Sequence, residues 1–268
     1  MNIIQCPHTQ SRCYGVKRQT ISPIGIVVHS TGANNAFIKR YSQPSDNDPK
    51  RSELLKILGT NAHGNHWNTS SATKSAHYII GKLADGTVGI VQNHPENTAA
   101  WTSGKAGKGS YNYDPVAHIQ FEICEDNLTD ADYFRAIYKT AVELCADICH
   151  RHGWGASVIV SHREAHAKGY ASNHSDIDHW LGKFKRTMSD FRADVAAALE
   201  DLATSKEAPE EVDKIVHPVD TFVAPEDPFK LFNKDGNLIG HLIPGAKCDV
   251  LETSDNDIAI FAIVKEKR

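Results

Sequence analysis

Two short β-branched runs, IGIVV at residues 24–28 and SVIVS at residues 157–161, each lead straight into a histidine. Runs this short, bounded by residues such as Pro23 and Gly32, suit buried strands and not helices. Residues 77–81 and 87–92 read as two further strands around the turn signal Ala84-Asp85-Gly86. In residues 118–124, Ile119, Phe121 and Ile123 alternate with His118, Gln120 and Glu122, the period of a strand with two unlike faces.

Between these runs the period changes to that of a helix. Over residues 130–152, Phe134, Ile137, Tyr138, Ala141, Leu144, Cys145 and Ile148 form one stripe, and Thr129 or Asp130 can cap its start. Met188, Phe191, Val195, Ala198 and Leu202 form a second stripe over residues 185–202. Strands interleaved with helices predict an α/β domain, a mixed central β-sheet flanked by helices. Near Thr204 the composition shifts to the charged, Pro-containing segment at residues 205–214, which reads as a linker. Beyond it, strand-like runs at residues 230–232, 238–243, 248–251 and 258–264, with turns at Asp235-Gly236 and Pro244-Gly245, predict a small all-β module of SH3-like type.

Charge narrows the function classes. With 29 Lys and Arg against 33 Asp and Glu, the net charge of −4 includes no basic stripe, which argues against a nucleic-acid partner. No apolar run approaches the ~20 residues of a membrane span, so no membrane insertion is expected. The start, MNIIQCPHTQSRCYG, lacks the pattern of a signal peptide, and the cysteines form no CxxC pair; cytoplasmic synthesis is the expectation.

The fifteen histidines matter only by position. His29 and His162 each close a strand-like run and open a polar segment, where binding groups tend to sit. The segment after His162 reads as a long polar loop supplying His166, His174, Asp176, Asp178 and His179. Imidazole and carboxylate are zinc ligands, and a catalytic zinc keeps three of them with an open fourth position. The spacing matches neither HExxH nor a zinc finger, so a solvated loop with backbone-capping histidines is an equal reading. Glu122 stands mid-strand on the polar face; over a metal it would serve as general base, and otherwise it faces solvent.

Taken in order, Ile-Val-Val-His29-Ser-Thr-Gly, Ser75-Ala-His-Tyr-Ile-Ile-Gly, Ala100-Trp101, Phe121-Glu122-Ile and Ser161-His162 resemble the type-2 N-acetylmuramoyl-L-alanine amidases, relatives of the peptidoglycan recognition proteins. The stretch Gly-Tyr-Ala-Ser-Asn-His174-Ser-Asp176, with His179-Trp180, is similar to the subgroup encoded by phages and prophages of Gram-positive bacteria. The resemblance spans about residues 20–190 and implies a type-2 amidase fold.

The resemblance implies Zn²⁺ held by His29, His162 and Asp176, Glu122 as catalytic carboxylate, and His174 as the oxyanion stabiliser two positions before the third ligand. His174 as third ligand is the alternative, because the loop before Asp176 is longer than in most relatives. Asp178 is a weaker candidate still, and His179-Trp180 reads as packing. His77 either touches substrate or bonds within the core; His63 and His66 read as loop residues. The implied reaction is hydrolysis of the amide between N-acetylmuramic acid and L-alanine in Gram-positive peptidoglycan by an endolysin that reaches the wall after release from the host cytoplasm. The rivals are a non-catalytic peptidoglycan-binding protein and a zinc peptidase of the stem peptide. The expected layout is a catalytic domain at residues 1–203, a linker at 204–215 and a cell-wall-binding module at 216–268.

Overall fold

The computed structural model describes residues 2–15, 19–207, 220–223, 229–232, 238–242, 247–252 and 259–263. It divides into two compact units, Met1–Ser205 and Lys206–Arg268. The first runs β1 (Ile3–Gln5), α1 (Arg12–Gly15), β2 (Ile26–Ser30), α2 (Arg51–Leu58), β3 (Tyr78–Lys82), β4 (Val88–Gln92), β5 (Ile119–Ile123), α3 (Ala131–His152), β6 (Ile159–Ser161), α4 (His162–Ala167), α5 (Asp178–Lys183) and α6 (Met188–Glu207). Its strands form one six-stranded sheet in the order β1-β4-β3-β5-β2-β6. Only the β3–β4 hairpin is antiparallel; every other neighbouring pair is parallel. This is the mixed sheet flanked by helices that the alternating periods predict.

The two faces of the sheet carry different chemistry. On one, Ile26, Val28, Tyr78, Ile80, Ile119, Phe121 and Ile123 pack with Phe134, Ile137, Leu144 and Ile148 of α3 and with Phe191 and Val195 of α6. Each such side chain removed from water contributes about 1.5–3 kcal/mol before chain entropy is charged against it. On the other face two smaller apolar clusters form, one with Ile79, Val91, Leu54 and Leu58 and one with Val27, Val160 and Ala165. His29, Gln120 and Glu122 alternate out of the main core onto this second face, and all three are buried. The alternation in residues 118–124 therefore marks two buried faces, not one buried and one solvated.

Helix α3 begins where Asp130 accepts hydrogen bonds from the backbone N–H groups of Asp132 and Tyr133, both at 3.0 Å. It ends at Gly153, whose φ of 68° is left-handed and suits a residue without Cβ. Cys145 and Cys149, one turn apart, are free thiols packed in this helix.

Three expectations change. Residues 156–158 form a 3₁₀ turn, leaving a strand of only Ile159–Ser161. The presumed long loop after His162 is broken by α4 and α5. Helix α4 starts at once because Ser161 and Glu164 form a reciprocal capping box, a Ser-x-x-Glu pattern present in the sequence. Third, α6 continues to Glu207 through the position where the composition shifts.

In the second unit, β10 (Lys247–Glu252) pairs antiparallel with both β7 (Asp220–Val223) and β11 (Ala259–Ile263), and β8 (Phe229–Phe232) pairs with β9 (Leu238–Leu242). The expected turns at Asp235-Gly236 and Pro244-Gly245, and residues 208–215 of the expected linker, lie outside the described residues. Among the described residues no helix is long and apolar enough to cross a membrane.

Candidate metal centre

Parallel neighbours bring their carboxyl ends to one side of a sheet, where α/β proteins bind ligands. Here β2 lies between β5 and β6. The register sets His29 beside Glu122 and Val28 beside Ser161, so His162, next after Ser161, arrives next to His29. The capping box then turns the chain into α4 and fixes the backbone of His162 at the helix start. Asp176 reaches the same point from the segment before α5.

Three side-chain atoms converge. His29 Nδ1 and His162 Nδ1 lie 3.0 Å apart, and Asp176 Oδ2 is 3.3 Å from each. A tetrahedral ion with bonds of about 2.0–2.1 Å spaces its ligand atoms about 3.3 Å apart, so this triangle fits one small divalent cation. The imidazole rings stand edge to face, with centroids 4.7 Å apart. Among the described residues these three form the one group of His, Cys, Asp or Glu able to hold a metal ion.

The electrostatics follow from burial. Burial lowers the pKa of His29, favouring the neutral imidazole a cation requires; Asp176 opposes that shift. Burial alone would raise the carboxyl of Asp176, but the hydrogen bond from His162 and the imidazole of His29 beside it hold it well below the usual carboxylate range. Glu122 moves the other way: burial first, then the charge of Asp176, push its pKa well above normal, with Lys74 opposing. Its Oε2 atom is buried without a hydrogen-bond partner. An unpaired buried carboxyl oxygen beside a cation triangle is a group placed to exchange a proton with something entering the site.

His174 stands next to the triangle and outside it. It is exposed, its ring lies 4.7 Å from that of His162, and its Nδ1 is 3.0 Å from Ser172 Oγ. Other histidines disperse. His166 donates from Nδ1 to the carbonyl of Ala171, and His179 pairs with Glu125 at 3.0 Å, so only Trp180 of the expected His179-Trp180 packing pair is core. His77 is fully buried and bonds within the core, Nε2–H donating to the Thr98 carbonyl and Nδ1 accepting from the Gln120 backbone. His63 and His66 lie in the segment between α2 and β3. Asp178 heads α5 and does not join the triangle.

Sequence reading overlooked Gln120. Its alternation with Glu122 was the available signal, since both are buried on the same face of the sheet. Its Oε1 lies 3.1 Å from His29 Nε2, on the side of the ring away from the triangle.

Fold and site together define a mixed α/β protein with a candidate mononuclear metal centre at the carboxyl ends of its parallel strands. Residues 19–178, more than half of the chain, match the N-acetylmuramoyl-L-alanine amidase family, and the chain belongs to that family. It is thus an amidase of peptidoglycan, the metal-dependent class expected from the ordered motifs. Among solved structures it is similar to the catalytic domain of XlyA, at 21% identity over 73% of this chain and 99% of that one, with a TM-score of 0.48. The Staphylococcus aureus hydrolase AmiA, determined with its ligand, is 14% identical over 78% of this chain and 88% of that one, with a TM-score of 0.49. A mutant endolysin from Bacillus subtilis is 21% identical over 73% and 99% of the respective chains, with a TM-score of 0.47. No curated protein matches the sequence.

Proposed function

We propose that the chain is a zinc-dependent endolysin of phage or prophage origin, hydrolysing the N-acetylmuramoyl–L-alanine amide of Gram-positive peptidoglycan. The observation that carries this reading is the triangle of His29, His162 and Asp176 with Glu122 one strand away in register. Two imidazole nitrogens and one carboxylate oxygen are a donor set that suits zinc. The endolysin reading adds the resemblance of the segment ending in His174-Ser-Asp176, and release at lysis is the route we propose to the wall.

A zinc ion bound by these three side chains would supply Lewis acidity and lower the pKa of a water in its open position toward ~7. The chain's own residues then divide the proton work. Glu122 takes the proton of the attacking water and returns one to the departing L-alanine nitrogen, a role its raised pKa suits. His174, exposed beside His162, donates to the oxygen that becomes negative as the carbonyl turns tetrahedral. Asp176 keeps its charge, while Glu122 accepts and returns a proton, because their environments push the two carboxyls apart. We also propose that the second unit docks on the cell wall.

The deciding experiment digests Gram-positive walls and identifies the new ends. New L-alanine amino termini without new reducing sugars are the expected outcome. New amino termini from within the stem peptide would make it a peptidase, reducing ends a glycosidase, and binding without cleavage a recognition protein.

A further inference from the structure

The Gln120 side chain lies on the far side of His29, and its surroundings fix which way its amide points. The Ala100 carbonyl can only accept, and it lies 3.2 Å from Gln120 Nε2. Asn112 Oδ1 accepts from the same Nε2 at 2.8 Å, and it is identified as oxygen because it also accepts from the Ser103 backbone N–H at 3.2 Å. Two backbone groups of fixed polarity thus point the NH₂ of Gln120 away from His29 and its Oε1 toward it. Ser103 Oγ donates to that same Oε1, and His77 Nδ1 accepts the Gln120 backbone N–H at 2.9 Å.

An oxygen that only accepts, 3.1 Å from His29 Nε2, requires Nε2 to carry the ring proton. Nδ1, on the cation side, is then a lone pair that accepts from His162 Nδ1–H at 3.0 Å, and His162 is likewise the donor to Asp176 Oδ2 at 3.3 Å. We infer that Gln120, clamped by Ala100 and Asn112, is a positioning residue that selects the metal-binding tautomer of His29 before any ion arrives. The inference rests on the proposed metal reading of His29 for its purpose, and on hydrogen-bond polarity alone for its geometry.

Gln120 is fully buried, with every polar atom of its amide engaged, so its orientation is set by the fold and not by solvent. The cost of a wrong tautomer is that Nδ1–H would point at the cation position. Outer partners of this kind typically contribute 10–100-fold to metal affinity.

The test uses the full chain, labelled with ¹⁵N. Ring-nitrogen NMR of the metal-free native protein should show His29 protonated at Nε2; protonation at Nδ1 overturns the inference without any variant. Gln120→Met, which keeps the volume and removes the amide, should mix the two tautomers and weaken Zn²⁺ binding by roughly 10–100-fold in competition with a chelating indicator. Native tautomer and native affinity in that variant also overturn it. A native protein that keeps the Nε2–H tautomer yet takes up no Zn²⁺ refutes the metal reading and upholds the tautomer assignment, so the two failures are distinct.

Discussion

His29 and Glu122 are cross-strand partners in the parallel pairing of β2 and β5, both buried on the same face of the sheet. The pairing sets a neutral imidazole and an unpaired carboxyl side by side, with the charge of Asp176 felt by both. The candidate metal ligand and the proposed proton carrier are thereby held by the backbone ladder and not by loop conformation, which gives the site a rigid base.

Glu122 should be separable from metal binding. Glu122→Gln removes the proton carrier and the charge while keeping the shape, so zinc content should stay near one equivalent while wall lysis falls by about 10²–10⁴-fold. Lysis at the native rate in that variant would remove Glu122 from the mechanism.

Asp176 and His174 should part company under truncation. Asp176→Ala removes one corner of the triangle, so zinc content after dialysis should drop. His174→Ala should keep the ion and lose rate, by about 100-fold if its ring is the oxyanion donor. Zinc loss in His174→Ala alone would transfer the third ligand to His174.

Acid stability should carry the signature of Glu96. Burial by itself would raise its pKa, but hydrogen bonds from Arg151, Tyr78 and His152 bring it down from 4.5 to about 2. A carboxyl with a depressed folded value contributes stability that is fully present above the unfolded pKa. That contribution disappears as pH falls from about 4.5 through about 2. Glu96→Gln should therefore melt below the native protein at pH 7, and the gap should close over that acid window. A gap in Tm that does not change with pH would contradict the assignment.

Helix α3 tests the local energetics. Asp130→Ala removes the acceptor for two backbone N–H groups and should cost about 1 kcal/mol in denaturant unfolding, with lysis at native folding temperatures unaffected. A loss of several kcal/mol would mean that Asp130 does more than cap.

Local pattern was enough for much of this. Chain-local physics produces strands from alternation and β-branching and helices from 3.6-residue stripes, so β2, β3, β4, β5, α3 and α6 were legible. The three-residue β1 and the eight-residue α2 were not, since so few residues carry little period of their own. The order of the motifs implied the family and named His29, His162, Asp176 and Glu122 as candidates. Sequence could not show that the polar face of β5 is buried, because that depends on what the loops lay over it. Nor could it choose Asp176 over His174: residues two apart offer the same chemistry, and only the path of the chain between α4 and α5 brings one of them to 3.3 Å from both imidazoles. Gln120 is the sharpest case. Its residue type is unremarkable in a strand, and its meaning comes from a carbonyl at Ala100 and an amide at Asn112 that meet it only in the fold. The sequence by itself determined the elements and the set of candidate ligands, through short-range periodicity. The tertiary structure decided how His29, His162 and Asp176 converge and which way the Gln120 amide points, because both are set by groups far apart in the chain.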